Sequence, residues 1–454
     1  MDYNELRSRY PAFYYHEFSV IETEDELQIL FDFEIEGLSH FNPDFIIPKP
    51  ASAENIGDLR SVRECAFSLG MMELISYWKI TCAPEVYIEC GCLDDSQVRW
   101  WKKLYFNGLE DFFRLNMINA DPDEFMQIRS VGNEIDGLKD TRTYHGNLIP
   151  VAGGKDSFVT LDILKDMKDD STAFVINHVR SAVRSAEAAG YRGKDLIIAE
   201  RSLDSRMLEF NKQGYLNGHT PYSALTAFAA ALAGMVYARK YICLSNEASE
   251  TDSEVRGSSV AQQYSRTFTF EQDFNYYMEH YVSSKVHYFS LLRPLSELQI
   301  TGIFSKLKPY HSVFCSCNAG QKMEKWCGHC ARCLFVCCML SAYLTDDELT
   351  AIFGTDILND TSMTGLFDRL AGLNDRKTSE NSGLSDEVNT AAAMSVENHL
   401  KAGRELPKLY QHFVQSPLYP LYRGRSVNWD RWNNENIVPE EYQKLIRARL
   451  EEMK

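Results

Sequence analysis

The string Ala152-Gly153-Gly154-Lys155-Asp156-Ser157 follows a short apolar run, Leu148-Ile-Pro-Val-Ala152, and opens a helical pattern. Paired glycines at such a turn let the backbone approach an oxyanion and aim N–H groups at it. A helix N-terminus adds partial positive charge, and Ser157 adds a hydroxyl donor. Lys155 offers a point charge, and Asp156 a carboxylate for Mg2+ or for the shell around it. Strand-to-helix turns carry glycines for local reasons too. Here the full Gly-Gly-x-Asp-Ser string follows the first strand of an alternating run, which points to phosphate. The Gly-Lys-Ser/Thr triplet of the Walker loop is missing, which argues against γ-phosphoryl transfer.

A second group of residues suits a metal. Of 12 cysteines, seven fall between Cys315 and Cys338, a crowding that in a reduced compartment indicates metal ligation rather than disulfides. Cys317, Cys327, Cys330 and Cys333 follow the spacing Cys-x9-Cys-x2-Cys-x2-Cys. Cys-x2-Cys lets one turn present two thiolates to one ion, and four thiolates suit tetrahedral zinc. Buried small hydrophobes, an iron–sulfur cluster and Cys315 as fourth ligand are the competing readings. Cys337 and Cys338 lie in an apolar helical pattern and read as core.

The elements that must position these groups alternate. After Leu148–Ala152 come a helix over Phe158–Met167, a strand over Thr172–Asn177 and a helix over Val179–Ala189. A strand over Leu196–Ala199, an Ala-rich helix over Tyr222–Tyr237 and a strand over Tyr241–Ser245 follow. Strands separated by helices of this length predict a parallel sheet with helical crossovers. Glu247 then stands at the carboxyl edge, where open α/β sheets bind ligands. Residues 1–145 mix aromatics and acids, with a helix over Val62–Thr81, a strand over Val86–Cys90 and a helix from Trp100. After Pro294 the chain reads as helical around the cysteine-rich insert, and the polar stretch Asn374–Asn389 reads as a loop. The expectation is an α/β protein in three parts: an N-terminal α+β domain (1–145), a nucleotide-type α/β domain (146–300) and a zinc-bearing, mostly helical C-terminal region (301–454).

Composition sets limits. The chain has 454 residues with 44% hydrophobic residues, so there is ample material for more than one core. A net charge of −17 without a Lys/Arg stripe argues against nucleic acid as a partner. No signal-like leader and no long apolar span are apparent, so a soluble, cytoplasmic protein without membrane insertion is expected.

The loop resembles the Ser-Gly-Gly-x-Asp-Ser/Thr loop of PP-loop ATP pyrophosphatases, with Ala152 in place of the usual Ser. That resemblance implies a parallel sheet of the HUP type, ATP and Mg2+ as cofactors, cleavage between the α and β phosphates, and transfer of AMP to a substrate oxygen. It also places Asn177 and His178 beside the nucleoside. The string from Phe314 to Gly320 and from Trp326 to Cys333 resembles the zinc site of 7-cyano-7-deazaguanine synthases, which implies structural Zn2+. Several further strings resemble the UDP-N-acetylmuramoyl-L-alanyl-L-glutamate epimerases of peptidoglycan synthesis. They are Gly70–Lys79, Gly218–Phe228, Leu244–Glu247, Gln263–Arg266, Tyr288–Pro294 and the cysteine region. In that family the tail carries Glu-Cys-Val-Gly-Thr, whereas this chain has Glu380-Asn-Ser-Gly-Leu384 without a cysteine.

The epimerase resemblance implies adenylation of the α-carboxylate of a terminal L-glutamate on a UDP-muramoyl dipeptide, then inversion to D-glutamate with release of AMP and diphosphate. A PP-loop ligase forming an amide at another carboxylate is the alternative. Under either, Glu247 is a candidate Mg2+ ligand or base, with a surface acid or helix cap as the plain reading. Arg266 and Arg293 are candidates for pairing with substrate carboxylates or pyrophosphate, or for structural salt bridges. His219 is a candidate catalytic group or a turn histidine. Glu73 and Lys79 are candidate substrate contacts or ordinary helix-face charges.

Overall fold

The computed structural model describes residues 2–248, 264–317, 319–320, 325–373 and 383–454. Its centre is one mixed sheet of eleven strands. In chain order these are β1 (Ala12–Glu22), β2 (Glu26–Ile35), β3 (Ser39–Phe41), β4 (Asp44–Pro48), β5 (Glu85–Ile88), β6 (Gln127–Ser130), β7 (His145–Pro150), β8 (Ser171–Ile176), β9 (Leu196–Arg201), β10 (Arg239–Leu244) and β11 (His287–Ser290). The spatial order is β11-β10-β7-β8-β9-β4-β2-β1-β5-β6, with β3 paired to β2.

Strands β11, β10, β7, β8 and β9 are mutually parallel. Beyond β9 the direction reverses. β4 pairs antiparallel with β9 through Phe45–Arg201 and Ile46–Glu200, and β4, β2 and β1 form an antiparallel meander. β5 and β6 then run parallel to β1. The division expected at 145–146 therefore falls at the start of β7, inside one continuous sheet.

Both faces of the parallel half are covered, and strand alternation sorts its residues between two cores. Leu148, Phe174, Ile176, Ile242 and Tyr288 point into the first core. That core also holds the Ala-rich helix Tyr222–Val236 and the helix Arg60–Trp78, which pack against each other. Ile149, Ala173, Val175, Cys243 and Phe289 point into the second core, with the C-terminal helices. Two-sided burial accounts for the nearly continuous apolar runs of β7, β8 and β10. The helix Arg60–Trp78 is buried on all sides from Cys65 to Trp78. A Cβ on its Gly70 would stand 1.9 Å from the Tyr15 hydroxyl, so only glycine fits there.

Several local expectations need correction. The first four strands, read only as a mixture of aromatics and acids, form a meander. The helix expected over Phe158–Met167 ends at Ile163 and gives way to a 3-10 turn over Lys165–Asp170. The stretch expected as a loop to Asn389 is helical from Gly383, within a helix running to Lys401. This helix turns polar groups inward, since Glu387, Asn389, Thr390 and His399 are all buried. Its buried face thus mixes these polar groups with Val388, Ala391, Ala392, Ala393 and Val396, which blurs the apolar stripe of an ordinary amphipathic helix. Among the described residues no helix is long and apolar enough to cross a membrane.

Candidate functional site

The five parallel strands stand in the order β9-β8-β7-β10-β11, so the order reverses between β7 and β10. Ligands bind such sheets at the carboxyl edge beside that reversal. The Ala152–Ser157 string lies there, between β7 and the helix Lys155–Ile163.

The loop's conformation depends on its glycines. Gly153 has φ of +87°, and a Cβ there would meet the Ser181 carbonyl carbon at 2.9 Å and the Ala182 nitrogen at 3.0 Å. Gly154 is the N-cap of the following helix and supplies no side chain to its first N–H groups. These donors, with the helix dipole, suit a phosphate oxygen. Ser157 is buried, and its Oγ accepts from the Ala152 N–H at 3.2 Å, which leaves the hydroxyl proton as a donor. Asp156 is half-buried beside it.

The side chain of Lys155 is turned inward. It is 4% exposed, and its ammonium is paired with Asp156 and, at 2.6 Å, with Glu297. Glu247 bears on the same ammonium: burial, then the Glu297 charge, pushes its carboxyl well above the usual range, and Lys155 opposes that rise. Glu387, buried next to this group, accepts from the Leu298 N–H at 2.6 Å. Burial raises its carboxyl to about 7, with Glu297 adding to the rise and Arg431 opposing it. Glu297 and Glu387 escaped the sequence reading. Glu297 looks like the first-turn acid of a capping box on the helix Glu297–Lys306, and Glu387 sat within the expected loop.

Arg293 is fully buried and ion-paired to Glu271 at 2.6 Å, so it is a structural group and not a free substrate contact. Its other N–H groups donate to the carbonyls of Glu247 (2.7 Å) and Arg266 (2.6 Å). It thereby ties the backbone just past β10 to the turn Tyr264–Arg266 ahead of the helix Phe268–Tyr277. Residues 249–263, Gln263 among them, lie outside the described residues.

Asn177 and His178 follow β8. Asn177 takes a left-handed conformation (φ +60°), and its Oδ1 accepts from the Arg201 N–H at 2.7 Å. His178 is exposed, 3.4 Å from Glu200. Glu73 is buried and bound bidentately by Arg201, so it is not an open contact for substrate. Lys79 is buried too and donates at 2.6 Å to the Gly218 carbonyl. Burial lowers its ammonium to about 8. The tethered turn carries His219 exposed, ahead of the Ala-rich helix in the crossover from β9 to β10.

The four cysteines converge. Their sulfurs lie within 4.8 Å of one another, with Cys317–Cys330 at 3.8 Å, Cys327–Cys333 at 3.6 Å and Cys330–Cys333 at 3.5 Å. Thiolates ~2.3 Å from a tetrahedral ion stand about 3.8 Å apart, so the set can hold a metal. Burial would raise the Cys327 thiol, but the His329 N–H and the neighbouring sulfurs bring it down to about 7. Cys315 stands outside this set. Its N–H donates to the Gly153 carbonyl at 2.9 Å, so the chain entering the cysteine cluster is bonded to the glycine loop.

Comparison with known proteins bears on the whole arrangement. Residues 4–291 match the MurL N-terminal domain and residues 313–415 the MurL C-terminal domain. The chain belongs to the MurL family. The MurL N-terminal match runs from ahead of β1 to just past β11, and the C-terminal match takes in all four cysteines. Relatives carry the name UDP-N-acetyl-alpha-D-muramoyl-L-alanyl-L-glutamate epimerase. That of Xanthomonas oryzae pv. oryzae (strain MAFF 311018) is 29% identical over 74% of this chain and 75% of its own length. That of Salinispora tropica is 28% identical over 89% of this chain and 88% of its own. That of Micromonospora sp. is 26% identical over 87% and 89%. No solved structure matches this MurL chain. The tail string Glu380–Ser382, where the family's cysteine was expected, lies outside the described residues.

Proposed function

We propose that this protein is an ATP-dependent epimerase that inverts the terminal L-glutamate of UDP-MurNAc-L-Ala-L-Glu to D-glutamate, with AMP and diphosphate as by-products. The observation that carries the reading is the glycine loop at the strand-order reversal, in a chain of a family whose relatives carry the name of an L-alanyl-L-glutamate epimerase. A free α-carboxylate makes the adjacent C–H a poor acid, because deprotonation would set two negative charges side by side. Transfer of AMP to that carboxylate removes its charge and turns the carbonyl into an electron sink. A base can then take the α-proton, a proton returns to the other face, and hydrolysis releases the epimer.

The residues fit these tasks. Gly153, Gly154 and Ser157 offer donors for phosphate, and Asp156 a carboxylate for Mg2+; Asn177 and His178 would flank the nucleoside. Glu247, at the carboxyl edge and with its carboxyl held above the usual range, is the candidate to accept and return a proton. Arg266 remains a candidate for pairing with the substrate's carboxylates or pyrophosphate, and His219 a candidate catalytic group, each on a segment held by Arg293 or Lys79. Cys317, Cys327, Cys330 and Cys333 would hold Zn2+, a closed four-thiolate site that supplies rigidity rather than chemistry.

The test is incubation with ATP and the L,L-substrate in deuterated water. AMP, diphosphate and D-glutamate carrying deuterium at the α-carbon are expected. The altered tail string is the one observation favouring an amide-forming ligase. With ammonium supplied as amine donor, a stable amide product without α-deuterium would select that reading, and release of ADP and phosphate would exclude both.

A further inference from the structure

On the antiparallel half of the sheet, away from the glycine loop, His16, Glu34 and His40 bring three ligand atoms within 4.8 Å of one another. His16 Nε2 lies 2.8 Å and His40 Nε2 3.5 Å from the same oxygen of Glu34, Oε2. Ligands ~2.1 Å from a tetrahedral ion are separated by about 3.4 Å, so these spacings bracket what one ion needs. From this geometry we infer a binding site for one divalent transition-metal ion, held by His16 Nε2, Glu34 Oε2 and His40 Nε2, with water in the remaining position.

Three features show that the site is built. The register of β1 against β2 slips between Tyr15 and Glu17, so His16 is the extra residue of a β-bulge. Bulges re-aim a side chain that regular alternation would point elsewhere. The second ring nitrogen of each histidine is held by a carboxylate: His16 Nδ1 by Glu89 at 2.7 Å, and His40 Nδ1 by Asp32 at 3.4 Å. A carboxylate on the far nitrogen fixes the tautomer that leaves Nε2 free for a metal, and it raises the ligand's basicity. Finally, Tyr14 stacks on His16 at 5.2 Å and the two imidazoles face each other at 5.7 Å, which restricts both rings.

The donor set selects the ion. Two imidazoles and one carboxylate favour zinc and its neighbours over Mg2+ or Ca2+, which prefer all-oxygen shells. The three nearby carboxylates supply more negative charge than one ligand requires, which favours a dication. The ligands come from β1, β2 and β3, and Glu89 follows β5, so a bound ion would clamp four strands. A metal-free ion-pair network around a protonated His16 is the competing account.

The two accounts separate by metal titration of the full-length protein, dialysed against metal-free buffer and titrated with Zn2+ by calorimetry. The wild type is expected to take up one equivalent more than His16→Ala/His40→Ala, with the four cysteines intact in both. Glu89→Gln should retain that equivalent but bind it about 10- to 100-fold more weakly. Titration with Co2+ adds a spectroscopic readout: ion lost in the double variant should carry no thiolate charge-transfer band. Far-UV circular dichroism checks the fold, and His40→Ala alone, at an exposed position, serves if the double variant is unstable. Equal zinc uptake by wild type and the histidine variants would overturn the inference and leave the ion-pair network.

Discussion

The ammonium of Lys155 faces Asp156, Glu297 and Glu247 at the carboxyl edge of the parallel strands, and around it the chemistry of single residues can be tested. Replacing Asp156 or Ser157 by Ala should lower ATP turnover about 100-fold, the scale of one preorganised electrostatic contact, with the circular dichroism spectrum unchanged. Turnover within a few-fold of wild type would remove both from the phosphate site. Glu387 gives a pH signature. Its carboxyl is raised from an ordinary 4.5 to about 7, so between those values the folded chain binds more protons than the unfolded one. Stability should therefore fall as pH rises through that window and level off above it. Glu387→Gln stays neutral and should lose this slope, gaining up to ~3 kcal/mol on wild type at pH 8 relative to pH 4.5. Denaturant titrations at both pH values would show it, and identical slopes would refute it. The glycine loop and the cysteines were readable because their chemistry depends on adjacent residues. The Glu247–Glu297–Glu387 grouping was not, since its members meet only through three-dimensional packing.

At the scale of elements, the bond from the Cys315 N–H to the Gly153 carbonyl joins the chain entering the cysteine cluster to the glycine loop. Phe314 reinforces the approach: its carbonyl accepts from Trp326 Nε1 at 3.2 Å, and Trp326 packs on Phe353. Cys330→Ser should abolish stoichiometric zinc and, by freeing this segment, raise the KM for ATP roughly fivefold, as for one lost hydrogen bond. Metal analysis and steady-state kinetics would check both; zinc loss with unchanged KM would confine the cluster to the C-terminal fold. Legibility also varied by element. The parallel strands β7 to β10 announce themselves by apolar runs between helices. β2 alternates Leu27, Ile29, Phe31, Phe33 and Ile35 inward, a clear period of two, yet the acids between them gave the stretch a mixed texture. β11 spans four residues, too few to show a period, and becomes a strand only by pairing with β10.

For the whole molecule, the two-residue junction of β4 with β9 matters beyond the site. A sheet has two open rims, and separating the parallel half from the meander would create two more. Each new rim would present unpaired N–H and C=O groups, flanked on the β4 side by Phe45 and Ile47 from the buried interior. Such rims recruit other strands and lead to aggregation. Residues 1–145 expressed alone should therefore be insoluble or self-associating, and residues 146–454 likewise, whereas the intact chain should not. Sedimentation of the two fragments would decide this, a soluble monomeric fragment 1–145 being the contrary result. Although the seam is held by few backbone bonds, it keeps every interior strand paired, so the solubility of each half depends on the presence of the other.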